Sequence, residues 1–321
     1  MKRLLAALAA VGLVAGAVLV RQRIDDGRST STGDATLRLV CGTELGAVCA
    51  ALAASDPSVH VTVEDEGATA DRLVARRGGD PGFDAWLAAG PWAAVVADDR
   101  ARAGASAALL GRPSPTLARS PATIVALRDR AEALTRTCGG AVTWACIGRF
   151  AGLPWTAAGG SPTWGDVKPG LAPPGGGDGL VVLAQAVASQ VGTTEWASND
   201  LEDPATSAWF DQLVGQAKQV RVAGQTPLAR FLVVPASYGA VGALEAESGP
   251  SVARAASRSG LRVIYPEPVA TADVTVIPAV GRSAAEVIDR IERGRLLDAL
   301  AASGWRVPGR PDAVGVGGGP S

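Results

Sequence analysis

The stretch TLRLVCGTELGAVCAAL, residues 36–52, carries the first decision about the fold. Thr36 to Val40 is a run of β-type residues, and Leu45, Val48, Cys49 and Leu52 then recur at i, i+3, i+4 and i+7, which is one face of a helix. The pattern repeats twice downstream. VHVTV at 59–63 predicts a second strand, followed by a helix over 70–77, and Phe83 to Leu87 predicts a third strand that ends at Gly90-Pro91-Trp92. Strands separated by helices argue for an α/β fold with parallel pairing through right-handed crossovers.

Outward from this core the theme continues. Leu180 to Val187 reads as a helix preceded by glycine. Asp203-Pro204 places an N-cap and a proline at the first helical position, opening a helix whose apolar face is Trp209, Phe210, Leu213 and Ala217. The run Phe231-Leu232-Val233-Val234 reads as a buried strand ending in Pro235-Ala236-Ser237-Tyr238, and 261–265 and 274–277 as further strands. Ser283 and Glu286 form a capping box before a helix bearing Val287, Ile291 and Leu296.

The ends of the sequence read differently. Lys2 and Arg3 precede an unbroken apolar and glycine run from Leu4 to Val20. A basic flank and such a run are the marks of a secretory targeting segment. At ~1.5 Å per residue the run reaches about 25 Å, somewhat short of a bilayer core. Ala15-Gly16-Ala17 offers a cleavage signature, whereas Val18 to Val20 prolong the run, so residues 1–24 are read as a signal or signal-anchor segment. Residues 25–34 are polar and read as a linker, and 309–321, rich in glycine and proline, as a disordered tail.

With 30 Lys+Arg against 31 Asp+Glu, acids and bases mixed along the chain and no basic stripe, nucleic-acid binding is not expected. Four cysteines, Cys41, Cys49, Cys138 and Cys146, fall in two local groups. In an exported chain an even count points to disulfides, and three pairings are open to four cysteines; local pairing is preferred here. A four-thiolate zinc site is the alternative, and the seven residues inside each group do not match the short spacing such sites use.

Catalytic patterns are sparse. His60 is the only histidine and lies inside the second predicted strand, so a triad would have to be built on it. No nucleophile elbow, Walker lysine loop, dinucleotide fingerprint or H-E-x-x-H motif is present. Glu44, Asp65, Glu66 and Asp178 all fall between predicted elements, where a pair of carboxylates could serve a hydrolase. Set against that are the strand-to-helix turns: Gly42-Thr43-Glu44, Glu66-Gly67-Ala68-Thr69 and Gly90-Pro91-Trp92. In a parallel sheet these gather at one edge, where free N–H groups and helix N-termini face a ligand crevice.

The succession 36–52, 59–75 and 83–92 resembles the first lobe of type II extracellular (periplasmic) solute-binding proteins of the molybdate-binding-protein kind. It is similar in particular to the actinobacterial variant related to proteins that join such a domain to a von Willebrand factor A-type domain. LARSPATIVAL at 117–127 resembles the first crossing between lobes, and residues 167–187 the second lobe's ligand turn and first helix. FLVVPASYGAV at 231–241 resembles a strand and turn facing the cleft, residues 262–280 the return crossing, and LLDALAASGWRVPG at 296–309 the terminal helix.

The resemblance implies a two-lobed type II fold with two hinge crossings, lobe one being 35–121 plus 269–308 and lobe two 122–268. It implies a monomer that captures a small ligand between its lobes for uptake or sensing, with a membrane transporter or membrane protein as partner, no cofactor and no catalysis. Ligand-binding positions implied by the turns are Thr43, Glu44, Ala68, Thr69, Trp92, Ser120, Gly177, Asp178 and Ser237. The chain departs from the molybdate pattern at Val234-Pro235, where those proteins place a tyrosine, and an inward-facing Asp178 would repel an oxyanion. A membrane-linked interaction module that keeps the fold without a transport ligand is the alternative function.

Overall fold

The computed structural model describes residues 36–105, 108–217 and 225–310. The apolar run at 4–20, the linker and the C-terminal tail from 311 onward lie outside the described residues, and among the described helices none is long and apolar enough to cross a membrane. The chain divides into an N-terminal unit, Met1–Leu37, and a large unit, Arg38–Ser321, to which everything below belongs apart from the first residue of β1.

The strands are β1 (Leu37–Cys41), β2 (Val59–Val63), β3 (Ala85–Ala89), β4 (Ala118–Leu127), β5 (Pro169–Gly170), β6 (Ala240–Leu244), β7 (Leu261–Ile264) and β8 (Thr271–Pro278). The helices are α1 (Gly46–Ser55), α2 (Glu66–Ala75), α3 (Trp92–Arg102), α4 (Arg128–Thr137), α5 (Trp144–Phe150), α6 (Gly177–Val191), α7 (Ser198–Glu202), α8 (Pro204–Gln216), α9 (Pro227–Val233), α10 (Glu245–Arg254), α11 (Ala284–Ile291) and α12 (Arg293–Ala302). This is an α/β fold built on a curled mixed sheet in the order β2-β1-β3-β8-β4-β6-β5, with β7 also paired to β4.

Pairing is parallel between β1 and β3 and between β5 and β6, but β8 runs antiparallel to both β3 and β4. The expected parallel pairing holds between β1 and β3, and β8 departs from it because it returns from the far end of the chain rather than through a helical crossover. The strand that organises the molecule is β4. Its first four residues, Ala118 to Pro121, pair with β8, and from Ala122 onward it pairs with β6 and, from Ile124, with β7. One strand thus belongs to two sheet surroundings, with the change of partner at Pro121-Ala122. A proline can sit there because its missing N–H falls where one ladder ends and the next begins.

Two cores flank this change. One gathers Val40, Leu73, Phe83, Trp86, Trp92 and Ile277, the other Val125, Leu228, Phe231, Tyr238, Val241 and Leu261. β3 is buried throughout, as a strand covered on both faces must be, and it reads as a continuous apolar run for that reason.

Three local expectations are corrected. Residues 231–234 are no strand: Phe231 to Val233 end α9, which Thr226 caps by accepting from Ala229 N–H, with Pro227 at the first position. The strand in that region is β6, Ala-Val-Gly-Ala-Leu, buried along its whole length. Residues Glu66 to Thr69 are not a turn but the first turn of α2, because Asp65 supplies the cap by accepting from Gly67 N–H and Ala68 N–H. The helix expected to carry Val287, Ile291 and Leu296 is two helices, α11 and α12, broken at Glu292, whose φ of 70° is the one non-glycine positive value among the described residues. The Asp203-Pro204 start and the Ser283–Glu286 capping box form as read.

Both cysteine groups close locally, Cys41–Cys49 and Cys138–Cys146, and none of the cysteines is free. The first bridge ties the end of β1 to α1 across the short 3-10 turn Thr43–Leu45.

Candidate functional site

A cavity of about 590 Å³ opens where segments preceding the β4 change of partner meet segments following it. From the first set come Thr43 and Glu44 on the 3-10 turn and Asp65 at the head of α2; Ala302, Ser303 and Trp305, past the end of α12, join them from the return of the chain. From the second come Ala172, Pro173, Gly176 and Asp178 at the head of α6, Gln225 to Pro227 at the head of α9, and Glu247, Pro250, Ser251 and Arg254 along α10.

The two sides touch directly. Gly67 N–H donates to the Gly175 carbonyl at 2.7 Å, and Asp178 N–H donates to Glu44 Oε1 at 3.1 Å. Gly176, which caps α6, has no side chain to offer, so the carboxylate of Glu44 serves as the cap from a distant part of the chain. A negative group is stabilised there by the free N–H groups and by the helix dipole. Glycines make the approach feasible. A Cβ on Gly176 would lie 2.6 Å from Glu44 Oε1, and one on Gly175 2.6 Å from Asp65 Oδ1.

The cavity is acidic. Glu66 is completely buried behind Gly42, its carboxyl set against that of Glu44. Burial, then the neighbouring Glu44 and, more weakly, Asp178, push its pKa up to about 10. Asp178 is raised well above the usual carboxylate range by burial first and then by Glu44, with Glu247 adding a smaller push; Gly179 N–H, donating to Asp178 Oδ1 at 2.6 Å, works the other way. Glu247 is raised by burial, against the hydrogen bond it accepts from the Thr226 hydroxyl. The lining holds one basic side chain, the exposed Arg254.

Of the residues predicted for the site, Thr43, Glu44 and Asp178 line the cavity. Gly177 lies beneath it, packed so closely on the Ala89 carbonyl that no Cβ would fit. Ala68 N–H is taken by Asp65, and the Thr69 hydroxyl is buried and donates to Glu64 Oε1 at 2.5 Å. Trp92 is buried, its indole N–H donating to the Ala89 carbonyl at 3.2 Å. Ser120 is buried at the β4 change of partner, where its hydroxyl accepts from Ala246 N–H at 2.9 Å and so ties β4 to α10. Ser237 is outside the cavity lining. His60 is an exposed residue of β2.

Glu247, Thr226, Arg254 and Trp305 were not picked out in the sequence, and Glu66 was read only as a loop carboxylate. Thr226-Pro227 carried a usable signal, a helix N-cap and its proline, pointing to a helix N-terminus. Glu247 had none, since a lone acid on a helix is an ordinary solvated residue. Among the described residues, no group of three or more His, Cys, Asp and Glu is arranged to hold a metal ion.

No protein-family model matches the sequence, and no curated protein is detectably similar to it. Solved structures do match in fold. The periplasmic binding protein AfuA from Actinobacillus pleuropneumoniae, with fructose-6-phosphate bound, aligns at a TM-score of 0.54 and 11% identity over 84% of each chain. The sulfate-binding protein SubI from Mycobacterium tuberculosis aligns at 0.52 and 13% identity over 85% of this chain and 87% of that one. Apo FutA2 from Synechocystis gives 0.52 and 12% over 87% and 88%. The chain has the type II periplasmic-binding-protein-like fold. At these identities the likeness is one of architecture, and the ligands of those proteins are their own.

Proposed function

We propose that this protein is an exported solute-binding protein that captures a small molecule in the cavity between two lobes, 35–121 with 269–308 and 122–268. The observation that carries this reading is the position of the cavity. Its walls come from both sides of the β4 change of partner, so relative movement about Pro121-Ala122 and the return segment before β8 would open and close it. The crossing is braced by Gln185, whose amide donates to the Pro266 and Pro268 carbonyls at 3.2 and 3.1 Å. Arg306 pairs with the buried Glu245, which also accepts from the Tyr265 hydroxyl.

Two closed disulfides fit an oxidising compartment. A membrane transporter or membrane receptor is the partner such a protein would serve. The likeness to molybdate-binding proteins in particular rests on the sequence pattern alone.

A thermal-shift screen of the oxidised protein against oxyanions, divalent metals, amino acids, amines and sugars tests the reading. A ligand at a hundredfold excess over Kd adds about 2.7 kcal/mol to the folded state. Saturable stabilisation lost on substitution at Glu44 or Asp178 supports capture in the cavity. Folded protein that responds to none of these classes would instead favour the interaction module.

A further inference from the structure

We propose that the cavity opens as a one-sided jaw, pivoting on the head of α10 and parting where Glu44 meets Asp178 and Gly67 meets Gly175. This rests on the solute-binding reading above and names the device that regulates access to its site.

The pivot is built from contacts that converge on two successive residues, Glu245 and Ala246. The buried Glu245 carboxylate holds the Arg306 guanidinium through both oxygens, with Arg306 Nη2 2.6 Å from Oε1, and accepts from the Tyr265 hydroxyl. Arg306 is itself fixed to the start of β4, because its backbone exchanges two hydrogen bonds with Arg119, each of 2.9 Å. Ala246 N–H donates to Ser120 Oγ at 2.9 Å, and Gly304 packs so closely that a Cβ on it would fall 2.7 Å from the Ala246 carbonyl oxygen. One turn along α10, Ser248 Oγ lies 2.9 Å from Thr123 Oγ1, both residues completely buried. The helix therefore bonds β4 on either side of Pro121-Ala122, where the strand changes partner. The terminal segment and the return segment meet at the same point through Arg306 and Tyr265.

The opposite side of the cavity is fastened more lightly. Its two wall-to-wall bonds come from backbone N–H groups at helix starts, Gly67 to the Gly175 carbonyl and Asp178 to Glu44 Oε1. All four residues are only half-buried, so water replaces each bond as the walls part and the net cost is small. Parting the α10 side would instead strand the buried Glu245 carboxylate without its cation, a far more costly break. The Glu44 side gives way first. The wall formed by α10 and Trp305 then keeps its shape, while Thr43 and Asp65 draw away from Pro173 and Gly176.

The test is pulsed electron–electron double resonance on the full oxidised chain, with spin labels carried on a non-natural amino acid so that the native cysteines are untouched. One pair, at Asp71 and Pro174, reports the Glu44 side, and a second, at Arg254 and Ala302, reports the α10 side; all four positions are exposed. In Glu44→Ala the first distance should lengthen by more than about 2 Å, the scale of a domain rearrangement, and the second by less than half as much. Arg306→Ala should lengthen the second distance and Arg306→Lys should restore it; Tyr265→Phe, a milder change at the same point, should broaden it.

Equal lengthening of both distances in Glu44→Ala would mean that the walls separate as whole bodies, which overturns the pivot and leaves solute capture standing. A second distance unmoved by Arg306→Ala and Tyr265→Phe alike would also overturn it. If neither distance changes in folded Glu44→Ala, the jaw is refuted, and solute capture then stands or falls on the thermal-shift screen alone.

Discussion

Glu44 Oε1 accepts the backbone N–H of Asp178 at 3.1 Å, so a carboxylate from the turn after β1 caps a helix 134 residues away in sequence. The same carboxylate lies beside those of Glu66 and Asp178 and raises the pKa of both. One residue therefore both fastens the two walls of the cavity and concentrates negative charge in it. Glu44→Ala should remove the fastening and the cap together. Loss of a cap costs about 1 kcal/mol, and the cavity should open, seen as faster hydrogen exchange at Gly177 to Gly179 and at Gly67. Unchanged exchange at both places would mean the contact does not hold the walls together.

Glu66 gives a pH dependence with a definite sign. Its pKa is about 10 in the folded protein against 4.5 for an ordinary glutamate, so between those values the folded state holds a proton that the unfolded state has lost. Stability then falls as pH rises. Wild-type Tm should decline from pH 5 to pH 9. Glu66→Gln, which keeps the neutral shape, should flatten that decline and raise Tm at pH 8, by about 2–4 °C for each kcal/mol recovered. A variant less stable than wild type at pH 8 would mean that the ionised carboxylate is held by a partner.

Asp84 works in the opposite direction. Burial favours its neutral form, but the N–H and guanidinium of Arg38, with Arg282 adding its charge at 2.9 Å, outweigh burial and hold its pKa below 3.8. Its contribution is complete above that value and is lost as pH falls through the lowered folded pKa. Asp84→Asn should cost about 1–3 kcal/mol at pH 7 and less below pH 3, measured by urea unfolding at the two pH values. An equal cost at both would assign the effect to packing alone.

Much of this fold could be read from the sequence, and the reason is locality. β1 and α1, the Asp203-Pro204 start and the Ser283–Glu286 box are each settled by residues within a few positions of one another, and of the three pairings open to the cysteines the preferred local one forms. Phe231 to Val234 shows the limit. A four-residue apolar run fits a buried strand or a short helix equally, and what decides is the cap at Thr226 and the room for only one buried face, which leaves Val233 75% exposed. The cavity lay further out of reach. Glu44 and Asp178 could be suggested from helix starts, whereas Glu247 joins them only because α10 follows β6 directly after the sheet changes partner at β4. No local pattern encodes that placement.

The glycines at the head of α6 are crowded by their surroundings. At Gly179 a Cβ would fall inside the Pro173 carbonyl, whereas at Gly215, within α8, nothing lies within 4 Å. Gly179→Ala should therefore push the α6 start away from the loop before it, costing about 1–3 kcal/mol by overpacking and weakening any ligand response at the cavity. Gly215→Ala should be neutral or stabilising by about 0.5–1 kcal/mol, since alanine restricts the unfolded helix segment and meets no obstacle.

The two disulfides separate stability from site geometry. Each closes a loop with a sequence separation of 8, so the chain-entropy contribution is nearly the same, about 2.5 kcal/mol. Their positions differ: Cys41–Cys49 brackets the turn that carries Thr43 and Glu44, while Cys138–Cys146 joins the end of α4 to α5, away from the cavity lining. Replacing either pair by alanine should lower the urea midpoint by a similar amount. Only the Cys41→Ala, Cys49→Ala protein should also lose ligand-induced stabilisation, because freeing that turn loosens Glu44 from Asp178 N–H. Equal loss of ligand response in both double variants would show that the bridges act through global stability, and that the 3-10 turn keeps its geometry without the bond that spans it.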